Sequence, residues 1–371
     1  MLYKKDAALP HPFLAAINKR TVVTMIKTSI IPIFIPHIGC PHRCVFCNQW
    51  QITGHHGIPS ADDIQKAVIS YTRGVQEKRH WEIAFYGGSF TAVPAALQEK
   101  LLEPAQKALE AGLIQRIRCS TRPDCIDRTV MDRLDHYGVT IVELGVQSMD
   151  DAVLAKAKRG HTASQVEAAT ALLRSRGFIV GHQLMPGLPD EDWPSLEKTT
   201  AAICRLHPDI ARIYPVAVLE HTELAQLYRE GKYTPLTVQE GVRRAAYMKQ
   251  AFIEAHIQVI RTGLQATADL DDDTQVLGGA YTPAMGEMTD ALRYRKKIFA
   301  VLDAVRPGYI TISYNRKDTS RVRGYRKQTM HEAQKKYSFP ICWREDNSLP
   351  AGTIRVGTSE LTMEYHFMPD E

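Results

Sequence analysis

The chain has 371 residues, enough for one large domain or two of ordinary size. Apolar residues make up 44% and charged residues 23%, which excludes a disordered chain. No apolar run approaches the ~18 residues of a membrane helix, so no membrane association is expected. The net charge of +5 is uneven: residues 293–337 hold thirteen Lys/Arg against three Asp/Glu, a local +10, and the rest sums to −5. Such a segment points to an anionic partner or to a solvated face. The N-terminus has no apolar stretch of signal-peptide type, and the cysteine count of seven is odd. A reducing, cytoplasmic setting is therefore expected.

In chain order, residues 30–36 read as a short apolar strand, with Pro32 suited to a strand start. Ser60-Ala-Asp-Asp63 reads as a capping box, opening a helix with Ile64, Ala67, Val68 and Tyr71 on one face. Trp81, Ile83 and Phe85 alternate as a strand that stops at Gly87-Gly88. Residues 94–110 form the next predicted helix, 114–121 a strand, 129–137 a helix and 140–146 a strand. Val166, Ala169, Thr170 and Leu173 mark a helix ended by Gly177. Residues 178–185 read as a strand, 192–206 as a helix and 210–218 as a strand. Beyond residue 220 come helices over 222–230 and 238–256, then 258–263. An acidic loop at 269–273 lacks the ligand spacing of a calcium site, and the basic tail follows it.

Six strands with helices between them predict an α/β fold with a parallel sheet. Ligands of such sheets sit at the C-terminal strand ends. The cysteine cluster, Gly87-Gly88-Ser89, Ser120-Thr121-Arg122, Gln147 and Gly187 all follow strands, so they are predicted to converge.

Cys40-Pro-His-Arg-Cys44-Val-Phe-Cys47 has the spacing CxxxCxxC. Three thiolates on one loop can hold three irons of a 4Fe–4S cluster and leave the fourth iron open. Zinc is the rival. It wants four N/S ligands, usually as two CxxC-like pairs, and no second pair exists, although His37 or His42 offers a fourth ligand. Cys119, Cys125 and His182 read as packing residues.

The triad, with Phe46 just before its third cysteine, resembles the signature of radical S-adenosylmethionine (SAM) enzymes. The likeness runs along most of the chain. Ile35-Pro-His-Ile-Gly-Cys40 through Asn48 is similar to the group of the elongator catalytic subunit and oxygen-independent coproporphyrinogen oxidase. Phe85-Tyr-Gly-Gly-Ser-Phe90, Ser120-Thr-Arg-Pro-Asp124, Glu143-Leu-Gly-Val-Gln-Ser148, Lys158-Arg-Gly-His-Thr162 and Pro186-Gly-Leu-Pro189 follow in the family's order.

The resemblance implies a partial (β/α)6 TIM-like barrel over residues 24–260 and a basic C-terminal α+β accessory region over 261–371. It implies a 4Fe–4S cluster on Cys40, Cys44 and Cys47, with SAM on the open iron. One electron, from a donor such as flavodoxin or ferredoxin, then cleaves SAM to methionine and a 5′-deoxyadenosyl radical that abstracts hydrogen from a substrate. Phe46 corresponds to a residue packed on the adenine. Gly87, Gly88 and Ser89 form the glycine motif, in which the family more often has Glu as its third residue. Ser120 and Arg122 lie at the next strand end. Gln147 resembles a ribose partner and Arg159 the arginine that pairs with the methionine carboxylate. Gln183 stands where coproporphyrinogen oxidases have aspartate.

Residues 228–237, 259–265, 278–287 and 320–324 continue the elongator likeness. That subunit carries an acetyltransferase domain further on, and this chain is read as lacking one. The expected substrate is tRNA, held partly by residues 293–337, with Tyr294, Tyr309, Tyr314 and Tyr325 available to stack on bases. A small-molecule substrate such as a tetrapyrrole, or a cluster- or haem-handling carrier, remains the alternative.

Overall fold

The computed structural model describes residues 28–35, 40–48, 57–73, 79–265, 270, 274–358 and 362–366. In chain order come β1 (Thr28–Phe34), α1 (Ala61–Thr72), β2 (His80–Tyr86), α2 (Ala95–Glu110), β3 (Arg116–Thr121), α3 (Arg128–His136), β4 (Val139–Gln147), α4 (Asp151–Lys156), α5 (Ala163–Ser175), β5 (Ile179–Leu184), α6 (Trp193–Leu206) and β6 (Ile210–Ile213). After them come β7 (Ala217–Leu219), α7 (Glu223–Arg229), α8 (Val238–Glu254), β8 (Gln258–Thr262), β9 (Val276–Gly279) and α9 (Met285–Ala304). The chain continues through β10 (Ile310–Tyr314), α10 (Thr319–Arg323), α11 (Gln328–Lys336), β11 (Ile341–Glu345), β12 (Thr353–Gly357) and β13 (Thr362–His366).

Seven parallel strands, in the order β1-β2-β3-β4-β5-β6-β8, curve into a half-barrel. Helix starts follow their caps. Ser60 and Asp63 make the reciprocal capping box of α1, and Asp127, Thr162 and Asp192 cap α3, α5 and α6. The core lies between sheet and helices, where Ile31, Ile83, Ile117, Val142 and Val180 meet Ile64, Leu101, Leu134, Leu173 and Ile203. Pro32 lies inside β1, which among the described residues is an edge strand paired with β2 alone and tolerates the missing N–H. Tyr71 is exposed at the rim of α1 rather than on its buried face, and its ring meets Trp81 edge-on.

One strand differs from expectation. Residues 210–218 form two strands in different sheets, because the chain turns at Tyr214-Pro215 and Pro215 has no N–H to continue the ladder. β7 leaves the barrel and pairs antiparallel with β9. Residues 258–262 instead supply the seventh parallel strand, beside β6.

The β7–β9 pair and the packing of α8 on α9 tie together residues on both sides of position 260. The C-terminal residues form a mixed sheet, β11-β10-β12-β13, covered by α9. Tyr294 and Tyr314 belong to the core of this unit at 4% and 0% exposure, so they are not available to stack on bases. Of the other two tyrosines expected to stack on bases, Tyr309 is exposed and Tyr325 half-buried. Except for Leu270, the acidic loop at 269–273 lies outside the described residues, as does His37. Among the described residues no helix is long and apolar enough to cross a membrane.

Candidate active site

A cavity of about 1070 Å³ opens at the C-terminal strand ends of the half-barrel. Cys40, Cys44, Phe46, Cys47, Gly87, Gly88, Ser120, Arg122, Gln147 and Arg159 all line it, so ten of the eleven sequence-predicted site residues share one wall. Ser89 does not line it. Its side chain is fully buried behind the wall, bonded to Thr121 Oγ1 at 2.8 Å and accepting the Arg122 N–H at 3.3 Å, so it joins two strand ends.

The cysteine loop is held by Val45, which lies 1% exposed among Val153, Leu188, Val216 and Leu224. Its N–H donates to Ala157 O at 3.1 Å, just beyond α4, and its carbonyl accepts from Leu224 N at 2.7 Å in α7. Anchoring one residue between two thiols turns Cys44 inward to a buried position and leaves Cys40 and Cys47 half-buried. Burial, with the Cys44 and Cys40 thiols beside it, pushes Cys47 up to about 12. Burial also raises Cys40, against the pull of Arg159. Such thiols give up their protons when metal binds. Among the described residues, no three His, Cys, Asp or Glu side chains gather as ligands of a single ion. A four-iron cluster makes a different demand, since each thiolate takes a separate iron.

Arg159 is presented by a tight turn. Lys158 (φ 51°) and Gly160 (φ 73°) both lie in the left-handed region. A Cβ at Gly160 would fall 2.4 Å from the exposed His42 ring and force it to move, and glycine adopts this left-handed φ without strain. Arg159 Nη1 donates to Cys44 Sγ at 3.3 Å, and Nη2 donates to Gly145 O. Arg122 is 2% exposed and grips Asp124 with two bonds of 2.9 Å. Arg122 Nη1 and Arg159 Nε are buried donors with no acceptor among the described residues. Buried unpaired guanidinium N–H groups are costly, and a ligand carboxylate would satisfy them. Gly87, at φ 84°, brings its backbone so near β1 that a Cβ would lie 2.5 Å from Ile35 O. Gln147, at φ 68°, ends β4 beside a register shift and accepts from Gln183 Nε2 at 3.5 Å. The wall therefore fits the donor set that a cluster and an amino-acid-bearing cofactor require.

Sequence reasoning passed over Tyr86, Glu143 and Tyr214, which also line the cavity. The available signal was position: Tyr86 directly precedes Gly87-Gly88, and Glu143 opens the segment ending at Ser148. Cys119 is fully buried in the core, and Cys125 is half-buried close to Ser89 and Arg122. His182 is a core residue whose Nε2 lies 2.9 Å from Thr170 Oγ1.

The model of the radical SAM superfamily matches residues 34–203, and that of the radical SAM C-terminal domain matches residues 208–297. The chain belongs to this superfamily and is one of its enzymes; members bind a 4Fe–4S cluster and S-adenosylmethionine. It is 29% identical over 251 residues to a tRNA uridine(34) acetyltransferase of Dehalococcoides mccartyi, covering 58% of this chain and 55% of that one. It is 27% identical over 276 residues to the protein of that name from Methanocaldococcus jannaschii, covering 63% and 50%. The chain thus spans about half the length of the curated relatives it matches. The archaeal Methanocaldococcus infernus Elp3 with an N-terminal deletion shares the fold, with a TM-score of 0.59 at 24% identity over 74% of this chain and 64% of that one.

Proposed function

We propose that Cys40, Cys44 and Cys47 hold the 4Fe–4S cluster, that SAM occupies the adjoining cavity, and that the substrate is tRNA. The observation that supports this most is the meeting of three thiols with two buried guanidinium groups whose spare N–H donors have no acceptor among the described residues. Bound there, the reduced cluster and SAM supply a hydrogen-abstracting radical. In this reading Arg159 and Arg122 orient the methionine carboxylate, Gln147 bonds the ribose and Phe46 covers the adenine. Ser120 and the bare backbone of Gly87 and Gly88 complete the contact surface, while Met185, Leu219 and Leu264 keep water from the reacting end. A one-electron donor such as flavodoxin or ferredoxin supplies the reducing equivalent.

The names of the two relatives support tRNA, and so does the surface. Lys296, Arg306, Arg316, Lys317, Arg326, Lys327 and Lys335 are exposed and make no ion pair among the described residues. Tyr325, Arg326, His331 and Lys335 line a shallow groove, with the Arg326 guanidinium 5.2 Å from the Tyr325 ring centre. Basic side chains beside an aromatic ring suit single-stranded RNA. Acetyl transfer, which the relatives' names state of them, is not part of the proposal.

The test is anaerobic reconstitution, with dithionite as reductant. The loaded protein should release methionine and 5′-deoxyadenosine and should bind tRNA with salt-dependent affinity. A fully loaded protein that never cleaves SAM overturns the cofactor half. A protein that cleaves SAM but fails to bind tRNA at low salt has a small-molecule substrate instead.

A further inference from the structure

Inside the half-barrel a chain of buried charges leads to two phenols. Glu82 on β2 pairs with Arg118 on β3, Arg118 Nη1 donates to Glu143 on β4 at 3.1 Å, and Arg212 on β6 grips both oxygens of Glu143. Arg212 then donates from Nη2 to Tyr86 OH at 2.9 Å and from Nη1 to Tyr214 OH at 3.1 Å. Both tyrosines line the cavity, whereas Arg212 does not, so the phenols stand between the guanidinium and the open space.

A guanidinium has five donors and no acceptor. Each phenol oxygen is therefore used as an acceptor, and its own proton must be donated elsewhere. Among the described residues neither O–H has an acceptor. Burial holds the Tyr86 phenol above its ordinary value, so the proton stays on it. One rigid fork thus fixes two hydroxyl donors side by side at the cavity wall.

The charge balance decides what they receive. Glu143 matches Arg212 beside the phenols and Glu82 matches Arg118 behind them; the third cation, Arg116, reaches Glu82 at 3.8 Å from the N-terminal end of β3 and does not line the cavity, so no spare cation faces the phenols. A carboxylate or phosphate here would be desolvated without a spare cation, whereas a neutral oxygen acceptor would lose little and gain two hydrogen bonds. We propose that Tyr86 and Tyr214 form a paired hydroxyl site that receives a neutral carbonyl oxygen of the substrate, such as an amide, ester or ring carbonyl. The site would select substrates through that group and fix their orientation. It does not depend on whether the substrate is RNA.

Acetamide and acetate, nearly identical in shape but differing in charge, test the idea. Each is titrated by saturation-transfer NMR into the cluster-loaded, unreduced protein saturated with SAM, whose carboxylate occupies the Arg122 and Arg159 donors, with wild type, Tyr86→Phe, Tyr214→Phe and the double variant compared. Acetamide should bind more tightly than acetate. The double variant should weaken acetamide by roughly tenfold or more and each single variant by a few-fold, with acetate little changed. Thermal melts check folding, and the single variants carry the test if the double variant melts early. Acetate binding as tightly as acetamide, equal acetamide affinity in all four proteins, or no acetamide binding by wild type at its highest soluble concentration would each overturn the proposal.

Discussion

Arginines inside the half-barrel and basic residues on the C-terminal unit are placed in opposite ways. In the barrel, Arg118 and Arg212 share Glu143, and Arg118 also reaches Glu82; Glu82, Arg118 and Glu143 are buried and the Arg212 side chain is 12% exposed. On the C-terminal unit, Arg293 pairs with Asp290, Arg295 with Glu332, Arg321 with Asp318, Arg323 with Glu345 and Lys336 with Asp303. Seven exposed cations make no ion pair among the described residues. Buried charge must be compensated within the fold, so the barrel's arginines set the cavity's shape and its donor directions. Exposed, unmatched charge costs little to keep and remains available to a polyanion. The same residue type thus means scaffold in one place and contact surface in the other.

The comparison can be broken most severely at the cluster. Cys40→Ala with Cys44→Ala and Cys47→Ala should lose nearly all of the about four irons a reconstituted chain holds, whereas Cys119→Ala should keep them. Iron analysis decides, and full retention in the triple variant would sink the ligand assignment.

Next is the buried network. Glu143→Gln leaves Arg118 and Arg212 without their shared carboxylate and should cost about 3–5 kcal/mol in urea unfolding. A loss as small as that of a surface substitution would show that the barrel charges are not scaffold. Beside the cysteine loop, Arg159→Ala should weaken SAM binding by roughly ten- to a hundredfold, the value of a charge-assisted hydrogen bond of about 1.5–3 kcal/mol. Equilibrium dialysis measures this, and unchanged affinity would remove Arg159 from the carboxylate.

A pH experiment sharpens the barrel side. Thr170 Oγ1 donates to Val166 O at 2.7 Å, so it accepts from His182 Nε2, and burial keeps the ring neutral. Burial holds His182 down at about 3 against an ordinary 6.5, and His161 likewise. Between those values the unfolded chain binds the proton and the folded chain does not, so stability falls as pH drops below about 6.5. The slope is up to about 1.4 kcal/mol per pH unit for each such histidine. His182→Leu should remove about one proton's worth of that slope, and an identical acid limb would contradict the assignment.

The smallest effect separates matched from unmatched cations on the C-terminal unit. Replacing Arg316, Lys317, Arg326 and Lys327 by Ala should flatten the log–log salt dependence of tRNA affinity by about 0.7 per lost phosphate contact. Replacing the ion-paired Arg321 and Arg323 should change it less. Equal slopes in both variants would mean that pairing does not mark the contact surface.

What the sequence determined by itself was what short-range chemistry encodes. Alternation and capping placed β2, α1 and α6 nearly to the residue and marked the buried face and end of α5, because period and end-capping are local. The CxxxCxxC spacing and the glycines after β2 marked the cavity wall, because close approach requires particular residue types at fixed intervals. Tertiary structure alone decided the rest. Whether 210–218 is one strand or two depended on which partner β7 meets, and that partner, β9, lies some sixty residues away. Tyr294 and Tyr314 read like base-stacking residues, yet they became core because α9 and β10 face each other. Arg321 differs from Arg326 only in the carboxylates that folding brings beside it. The pairing of Tyr86 with Tyr214 through Arg212 joins strands 126 positions apart, at Tyr86 and Arg212. Such couplings carry no local pattern, because an ion pair or a shared hydrogen bond depends on distance in space and not on distance along the chain.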